Sequence, residues 1–302
     1  MSASVLFDSP GPKARARYRI IAVIGGLIVL GLLLLAVLRL ADAGQLTAEK
    51  WSPFAHWDVW RYYLLIGLWA TLKAAALSVI GALIFGVVFG LGRLSDNRVI
   101  RWISGAVVEF FRAVPVLIMM IFFFGVYARG QVFAASQNPF AAVVTALTLY
   151  NGAVIAELVR SGVYGLPKGQ REAGLSVGLT NSETLRTILL PQAVTAMLPA
   201  LVGQLVVILK DAALGAIITY PELLQQAQNL GSARANPLPA FVVAALIFIA
   251  INFLLTTAAG RLERRINRRG HTAGGAIGKA PTVPGAAAAA DAPATTEGPA
   301  GH

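Results

Sequence analysis

The chain contains no cysteine among its 302 residues. Disulfides, thiolate metal sites and a cysteine nucleophile are therefore excluded, and the redox compartment is left open. Charge is also scarce: 13% of residues are Asp, Glu, Lys or Arg, where soluble domains carry about a quarter. Histidine occurs only as His56, His271 and His302. There is no H-E-x-x-H, no G-x-S-x-G and no run of clustered carboxylates, which argues against a membrane enzyme. No G-x-x-x-x-G-K-[ST] loop is present either, so any ATP hydrolysis belongs to another chain. No A-x-A-like cleavage site follows the first apolar run, which reads as a retained anchor rather than a leader. What the chain has in abundance is apolar surface: 57% hydrophobic residues and a mean hydropathy of +0.69. That composition is a membrane protein's. The formal charge of +11 sits in short clusters between apolar runs, so a nucleic-acid partner is rejected.

A hydrocarbon core of about 30 Å takes roughly 20 helical residues. Apolar runs of that size occur at 20–38, 74–92, 130–156, 187–209 and 235–260, and a sixth at 103–128 is interrupted by Glu109 and Arg112. The runs are continuous rather than alternating, which predicts an all-α protein of about six transmembrane helices and not a barrel. Basic residues set the orientation. Lys13, Arg15, Arg17 and Arg19, then Arg93, Arg98 and Arg101, then Arg160, Lys168, Arg171 and Arg186, and finally Arg261, Arg264, Arg265, Arg268 and Arg269 fall on one side. The other side holds the thinner set Arg39, Lys50, Arg61, Arg129 and Arg234. Both termini and the 160–187 loop are thus expected in the cytoplasm. Trp51, Trp57, Trp60, Tyr62, Tyr63 and Trp69 crowd the outer approach to span two, and 57–68 reads as an interfacial helix or an extension of that span. Lys73, just inside the belt, is expected to snorkel to the outer headgroups. From Gly270 onward the Gly-, Ala- and Pro-rich chain cannot bury enough surface to fold, and a disordered tail over 270–302 is expected.

The most polar interruption lies between spans four and five. Within it Glu172-Ala173-Gly174 is followed after three residues by Gly178, and after nine more by Ile188, any residue, then Leu190-Pro191. Pro167 can start a helix there, and Gly178 can end it in a left-handed cap. Thr180-Asn181-Ser182-Glu183 has capping-box spacing for a second helix running into span five. A short helix between two turns would act as a lever: Ala173 and Gly174 would let it lie close against a partner, and Glu172 could take a cation.

That spacing resembles the EAA loop of membrane subunits of bacterial ABC importers, E-A-A-x3-G-x9-I-x-L-P, with Gly174 in place of an alanine. Ala156-Glu157-Leu158-Val159-Arg160-Ser161-Gly162-Val163, Pro167-Lys168-Gly169-Gln170 and Pro191-Gln192-Ala193 look like the polar amino acid branch of that family. So do Leu209-Lys210-Asp211, although Ala212 and Ala213 replace its Thr-Ser, and Glu109-Phe110-Phe111-Arg112 with Pro115. The likeness covers roughly 67–223, about half the chain. It implies a type I importer-like core of five spans over 57–265, with a basic N-terminus (1–19) and an added anchor (20–40). It further implies a permease of the bacterial inner membrane with no catalysis and no cofactor of its own. Two cytoplasmic ABC ATPase subunits would hold the ATP and grip Gly169, Gln170, Glu172, Ala173, Gly174 and Gly178. A second permease subunit, identical or not, would complete the path, and an extracytoplasmic binding protein would deliver an amino acid, glutamate or glutamine first among them.

Ionisable residues inside spans mark functional sites by default. Glu109 and Arg112 stand three apart, as do Glu157 and Arg160, so each couple can pair within its own helix. The alternative is a substrate path or gate. Lys210 and Asp211 are adjacent and cannot face each other, so each needs another partner. Asn151 and Gln204 lie near mid-span and could line a path or bond helix to helix. Pro191 and Pro199 can each interrupt the helix ladder of span five. An ion-gradient-driven transporter or channel, the rival reading, would want mid-span charges in both halves and an internal repeat.

Overall fold

The computed structural model describes residues 11–274, and among them there are helices and turns but no strand. The first helix, α1, runs Pro12–Asp42. Its apolar window is wholly unburied against the rest of the chain. A short helix α2 (Ala48–Trp51), a 3₁₀ turn (Ser52–Ala55) and α3 (Trp57–Val59) then lead through a π turn (Trp60–Leu64) into α4 (Leu65–Arg93). Residues Trp57–Arg93 form one span, so the Trp-rich stretch extends span two instead of lying separately on the surface. Lys73 places its Nζ 4.6 Å from the Phe140 ring centroid.

The third apolar stretch does not cross as one helix. It is α5 (Arg98–Ala113) and α6 (Val116–Gly130), bent by 98°. Pro115 supplies the reason: it lacks an N–H and pushes the preceding residue out of helical space, and Val114 sits at φ −85, ψ 125. Asn97 caps α5 by accepting from the N–H groups of Val99 and Ile100. At about 1.5 Å per residue, the 15 residues of α6 reach about 22 Å, short of a full hydrocarbon core.

The fourth span is α7 (Asn138–Tyr164), shifted toward the chain's C-terminus relative to the apolar run. Gln131, in the left-handed region at φ 49, closes α6, and Pro139 opens α7. Next come α8 (Lys168–Ser176) and α9 (Asn181–Thr184), a π turn (Leu185–Leu189) and α10 (Leu190–Asp211). Pro191 falls at the start of α10, and Pro199 sits inside it without ending it. A 3₁₀ turn (Ala212–Ile218), α11 (Leu223–Ala233) and α12 (Pro237–Gly274) complete the order. The α12 backbone stays helical through Gly274, beyond the expected onset of the tail at 270; residues 275–302 lie outside the described residues.

The centre of the bundle is the α4–α7 seam, built on small residues as helix pairs in lipid require. A β-carbon on Gly152 would stand 2.8 Å from a Phe85 ring carbon, and one on Gly90 would stand 2.8 Å from Cβ of Val159. Around it packs a core of Leu147, Ile155, Met119, Met120 and Ile208. At the Trp-rich end, Lys50 Nζ donates to the Ala235 carbonyl over 2.9 Å, Asn236 donates back to the Lys50 carbonyl, and Tyr220 donates to the Ala70 carbonyl. These bonds tie the segment before span two, and α4 itself at Ala70, to the turns flanking α11.

Candidate functional site

The interhelical loop folds as its residues dictate. Pro167 precedes α8, and the helix stops in a Schellman arrangement: Gly178, at φ +87, donates to the Leu175 carbonyl, and Leu179 donates to the Gly174 carbonyl. The following helix starts in the expected capping box, with Thr180 Oγ1 accepting from the Glu183 N–H and the Glu183 carboxylate accepting from the Thr180 N–H.

Contacts and helical spacing divide α8 into three faces. Gln170 and Gly174 face the start of span five: Gln170 Oε1 accepts from Gln192 Nε2 over 3.1 Å, and Gly174 is buried against Thr184 and Ile188. Lys168, Arg171 and Leu175 line a groove toward the α4–α5 turn, with Glu172 at its rim. Gly169, Ala173 and Ser176 remain open. So the small residue at 174 makes room for the chain's own Thr184, not for an outside partner, whereas Gly169, Ala173, Ser176 and Gly178 are exposed. Val177, beyond the C-terminal end of α8, is 76% exposed.

The two in-helix pairs expected at Glu109–Arg112 and Glu157–Arg160 are parts of a single network. Arg93, at the end of α4, donates from Nη2 to Glu109 Oε1 over 3.1 Å, and its Nη1 lies 2.7 Å from Glu157 Oε2 in ion-pair range without hydrogen-bond alignment. Arg112 Nη1 lies 3.4 Å from Glu109 and 3.6 Å from Glu157. Arg160 Nη2 donates to Glu157 Oε1 over 2.7 Å. Three guanidiniums thus share two carboxylates across α4, α5 and α7, one turn before α7 gives way to the α8 loop. Glu109 and Arg112 lie on α5, on the N-terminal side of its 98° bend into α6. Arg93 was missed because it reads in sequence only as an orienting charge; an excess of arginines over carboxylates around 93–160 was the available signal.

Deeper in the bundle, Gln204 Nε2 on α10 donates to Asn151 Oδ1 on α7, and Asn151 Nδ2 donates to the Leu147 carbonyl. Asn151 is fully buried, so this couple joins two helices. The side chains of Lys210 and Asp211, at the end of α10, make no hydrogen bond or ion pair among the described residues, and the structure does not bring them to the other candidates. A residue that sequence reasoning passed over is Glu222, 0% exposed. Its carboxylate caps α11 by accepting from the N–H groups of Leu224 and Gln225. Burial pushes its carboxyl up to about 7, against the pull of those donors and of Thr71 toward the charged form. Burial, and then the Glu222 charge, push the neighbouring Tyr220 phenol up to about 12. The capping spacing before a short polar helix was its only trace in the sequence. No cluster of metal-ligating side chains occurs among the described residues.

Comparison with known proteins matches this arrangement. The family model described as a binding-protein-dependent transport system inner membrane component covers residues 82–268. The glutamate transport system permease protein GluD of Corynebacterium glutamicum is 49% identical over 245 residues, 81% of this chain and 89% of that protein. The probable glutamine ABC transporter permease protein GlnP of Bacillus subtilis is 36% identical over 206 residues, 67% of this chain and 93% of that one. Among solved structures, an amino acid ABC transporter crystallised with histidines aligns at a TM-score of 0.65 and 25% identity, covering 73% of this chain and 100% of that one. With the family match spanning most of the bundle and the EAA-like loop folded as a capped helix between spans, the chain belongs to the binding-protein-dependent transport system inner membrane components, the permease subunits of ABC importers.

Proposed function

We propose that this permease serves an ATP-driven importer of polar amino acids, and that α8 is the element through which its ATPase partners act. The observation that carries this reading is the mounting of α8. It is stopped by a Schellman cap, followed by a capping box, and fastened to α10 through Gln170 and Gly174. Its open face, with Glu172 beside it, is left for a second protein. A helix held that stiffly passes a push on to spans four and five as rigid-body movement. The Arg93–Glu157 network lies one step further along α7, where such movement would reach α4 and α5.

The functional assembly on this reading has two permease subunits, two cytoplasmic ATPases and an extracytoplasmic binding protein. The α8 face and both termini lie in the cytoplasm, in keeping with the basic residues of that side. Nucleotide is bound by the ATPases alone. The names of the relatives above, glutamate and glutamine permeases, favour a substrate with a carboxylate or carboxamide side chain. Uptake of radiolabelled glutamate by the assembled complex, competed with each amino acid in turn, ranks the substrates. The coupling role is tested by Glu172→Lys in the reconstituted complex. Substrate-stimulated ATP hydrolysis and uptake should fall together by tenfold or more, the direction expected when a rim charge at an interface is inverted. Unchanged stimulation and uptake would remove α8 from the coupling path.

A further inference from the structure

Between α8 and the α4–α5 turn lies a groove of 760 Å³, which shares only Glu172 with the coupling face proposed above. Its walls are apolar, with Leu91 and Leu94 from the end of α4, Val163 from α7 and Leu189 from the start of span five. Its rim is charged: Arg101, Lys168, Arg171 and Arg186 stand against Asp96 and Glu172, a balance of four cations to two carboxylates. Two of the cations are held in place. Arg101 donates to the Ser95 carbonyl over 2.7 Å, and Arg171 donates to Asn181 Oδ1 over 2.9 Å. The side chains of the other two, Lys168 and Arg186, make no hydrogen bond or ion pair among the described residues.

We propose that this groove is a binding site for an anionic glycerophospholipid of the inner leaflet. A small soluble anion would satisfy the rim and leave the leucine walls bare, whereas an uncharged lipid would cover the walls and leave the cations unpaired. A phosphodiester headgroup with attached acyl chains answers both halves. The depth is right as well, since the groove opens where α4 and α7 end and α10 begins, the level at which basic pockets between spans meet headgroups. One lipid seated here touches α8, α7 and the α4–α5 turn at once. It would therefore brace the coupling helix against the bundle on a second face, next to the one that carries Gly174. Only the choice of leaflet rests on the orientation proposed above.

The test uses the full-length chain purified in detergent, stripped of lipid, and titrated with dioleoyl phosphatidylglycerol or dioleoyl phosphatidylcholine under native mass spectrometry. The wild type should retain the anionic lipid preferentially. The double variant Lys168→Gln/Arg186→Gln should lose about thirtyfold of that preference, the scale set by two basic residues beside an anionic headgroup. Lys168→Arg/Arg186→Lys, which keeps both charges, should retain it and shows that folding is not the cause. Equal retention of the two lipids, or a preference surviving in the neutral double variant, overturns the proposal. Complete displacement by inorganic phosphate would make it a soluble-anion site, and displacement by the purified ATPase would make it part of the ATPase interface; either result also overturns it. Because no transport is measured, failure here leaves the Glu172 test standing, and failure there leaves this one.

Discussion

Gly174 shows how one missing β-carbon positions an element. A β-carbon there would stand 2.6 Å from Thr184 Cγ2 and 2.8 Å from Thr184 Oγ1. Gly174→Ala gains about 1 kcal/mol of helix propensity but overpacks a tight contact, which costs about 1–3 kcal/mol. The purified variant should accordingly melt below wild type. Adding Thr184→Ala removes the two nearest atoms and a buried hydroxyl that has no partner, leaving the flexible end of Ile188 at 3.1 Å, so the double variant should melt above Gly174→Ala. A double variant no better than Gly174→Ala would show that this contact is not what limits the position. Glu222 supports a second residue-level prediction, with the sign set by its raised carboxyl. The folded chain holds a proton up to about pH 7 that the unfolded chain releases near its ordinary value. Stability is then greatest in acid and falls as pH rises from about 4.5 through about 7, by about 3 kcal/mol in all. Glu222→Gln keeps an acceptor for the α11 cap and cannot ionise, so its melting curve should stay flat across that window and exceed wild type above it. Parallel pH profiles for the two proteins would contradict the assignment.

At the scale of elements, the charged network and the bend at Pro115 belong together. Arg93, 12% exposed, joins α4 to Glu157, 21% exposed, while Glu109 is 60% exposed. Removing one partner of a largely buried pair costs about 3–5 kcal/mol, and an exposed pair contributes about 0–1 kcal/mol. Arg93→Gln should therefore destabilise the purified chain several-fold more than Glu109→Gln, measured as the difference in thermal unfolding. The reverse order would place the stabilising contact on the solvent side of α5. The same elements show what the sequence could and could not reveal. Long apolar runs announce spans because lipid demands them, and the α8 caps are readable because Gly178 and Thr180–Glu183 are local chemistry. The 98° bend was hidden: hydropathy sums α5 and α6 into one run, although Val99, Ile103 and Phe110 recur at helical spacing opposite Arg101 and Arg112. Arg93 stayed invisible for a different reason: its partners Glu109 and Glu157 are distant in the chain, and spacing along the sequence carries no information about which helices meet. Glu222 left its capping spacing, but its burial comes from packing that the local sequence does not reveal.

On the scale of the whole molecule, the chain divides into a bundle that holds itself together and one helix that does not take part. The α1 helix is unburied along its apolar window, and the family match begins only at residue 82. Beyond α1, Lys50 fastens the following segment to the bundle through Ala235 and Asn236. A chain lacking residues 1–43 should consequently melt within about 2 °C of the full-length protein, the shift that a few tenths of a kcal/mol produces in a domain of this size. Orientation should survive as well. The truncation removes Lys13, Arg15, Arg17 and Arg19 and, with the bent α5–α6 pair counted as one crossing, leaves an odd number of spans, which puts the new N-terminus opposite the C-terminus. Arg93, Arg98 and Arg101, with the α8 loop cations, still hold their side inside by the positive-inside bias. Accessibility of a cysteine introduced at the exposed position 177 to a membrane-impermeant thiol reagent reads this directly: it should be protected in intact cells for both chains. Labelling only in the truncated chain would mean that α1 sets the topology, and a large drop in melting temperature would mean that it packs on the bundle after all.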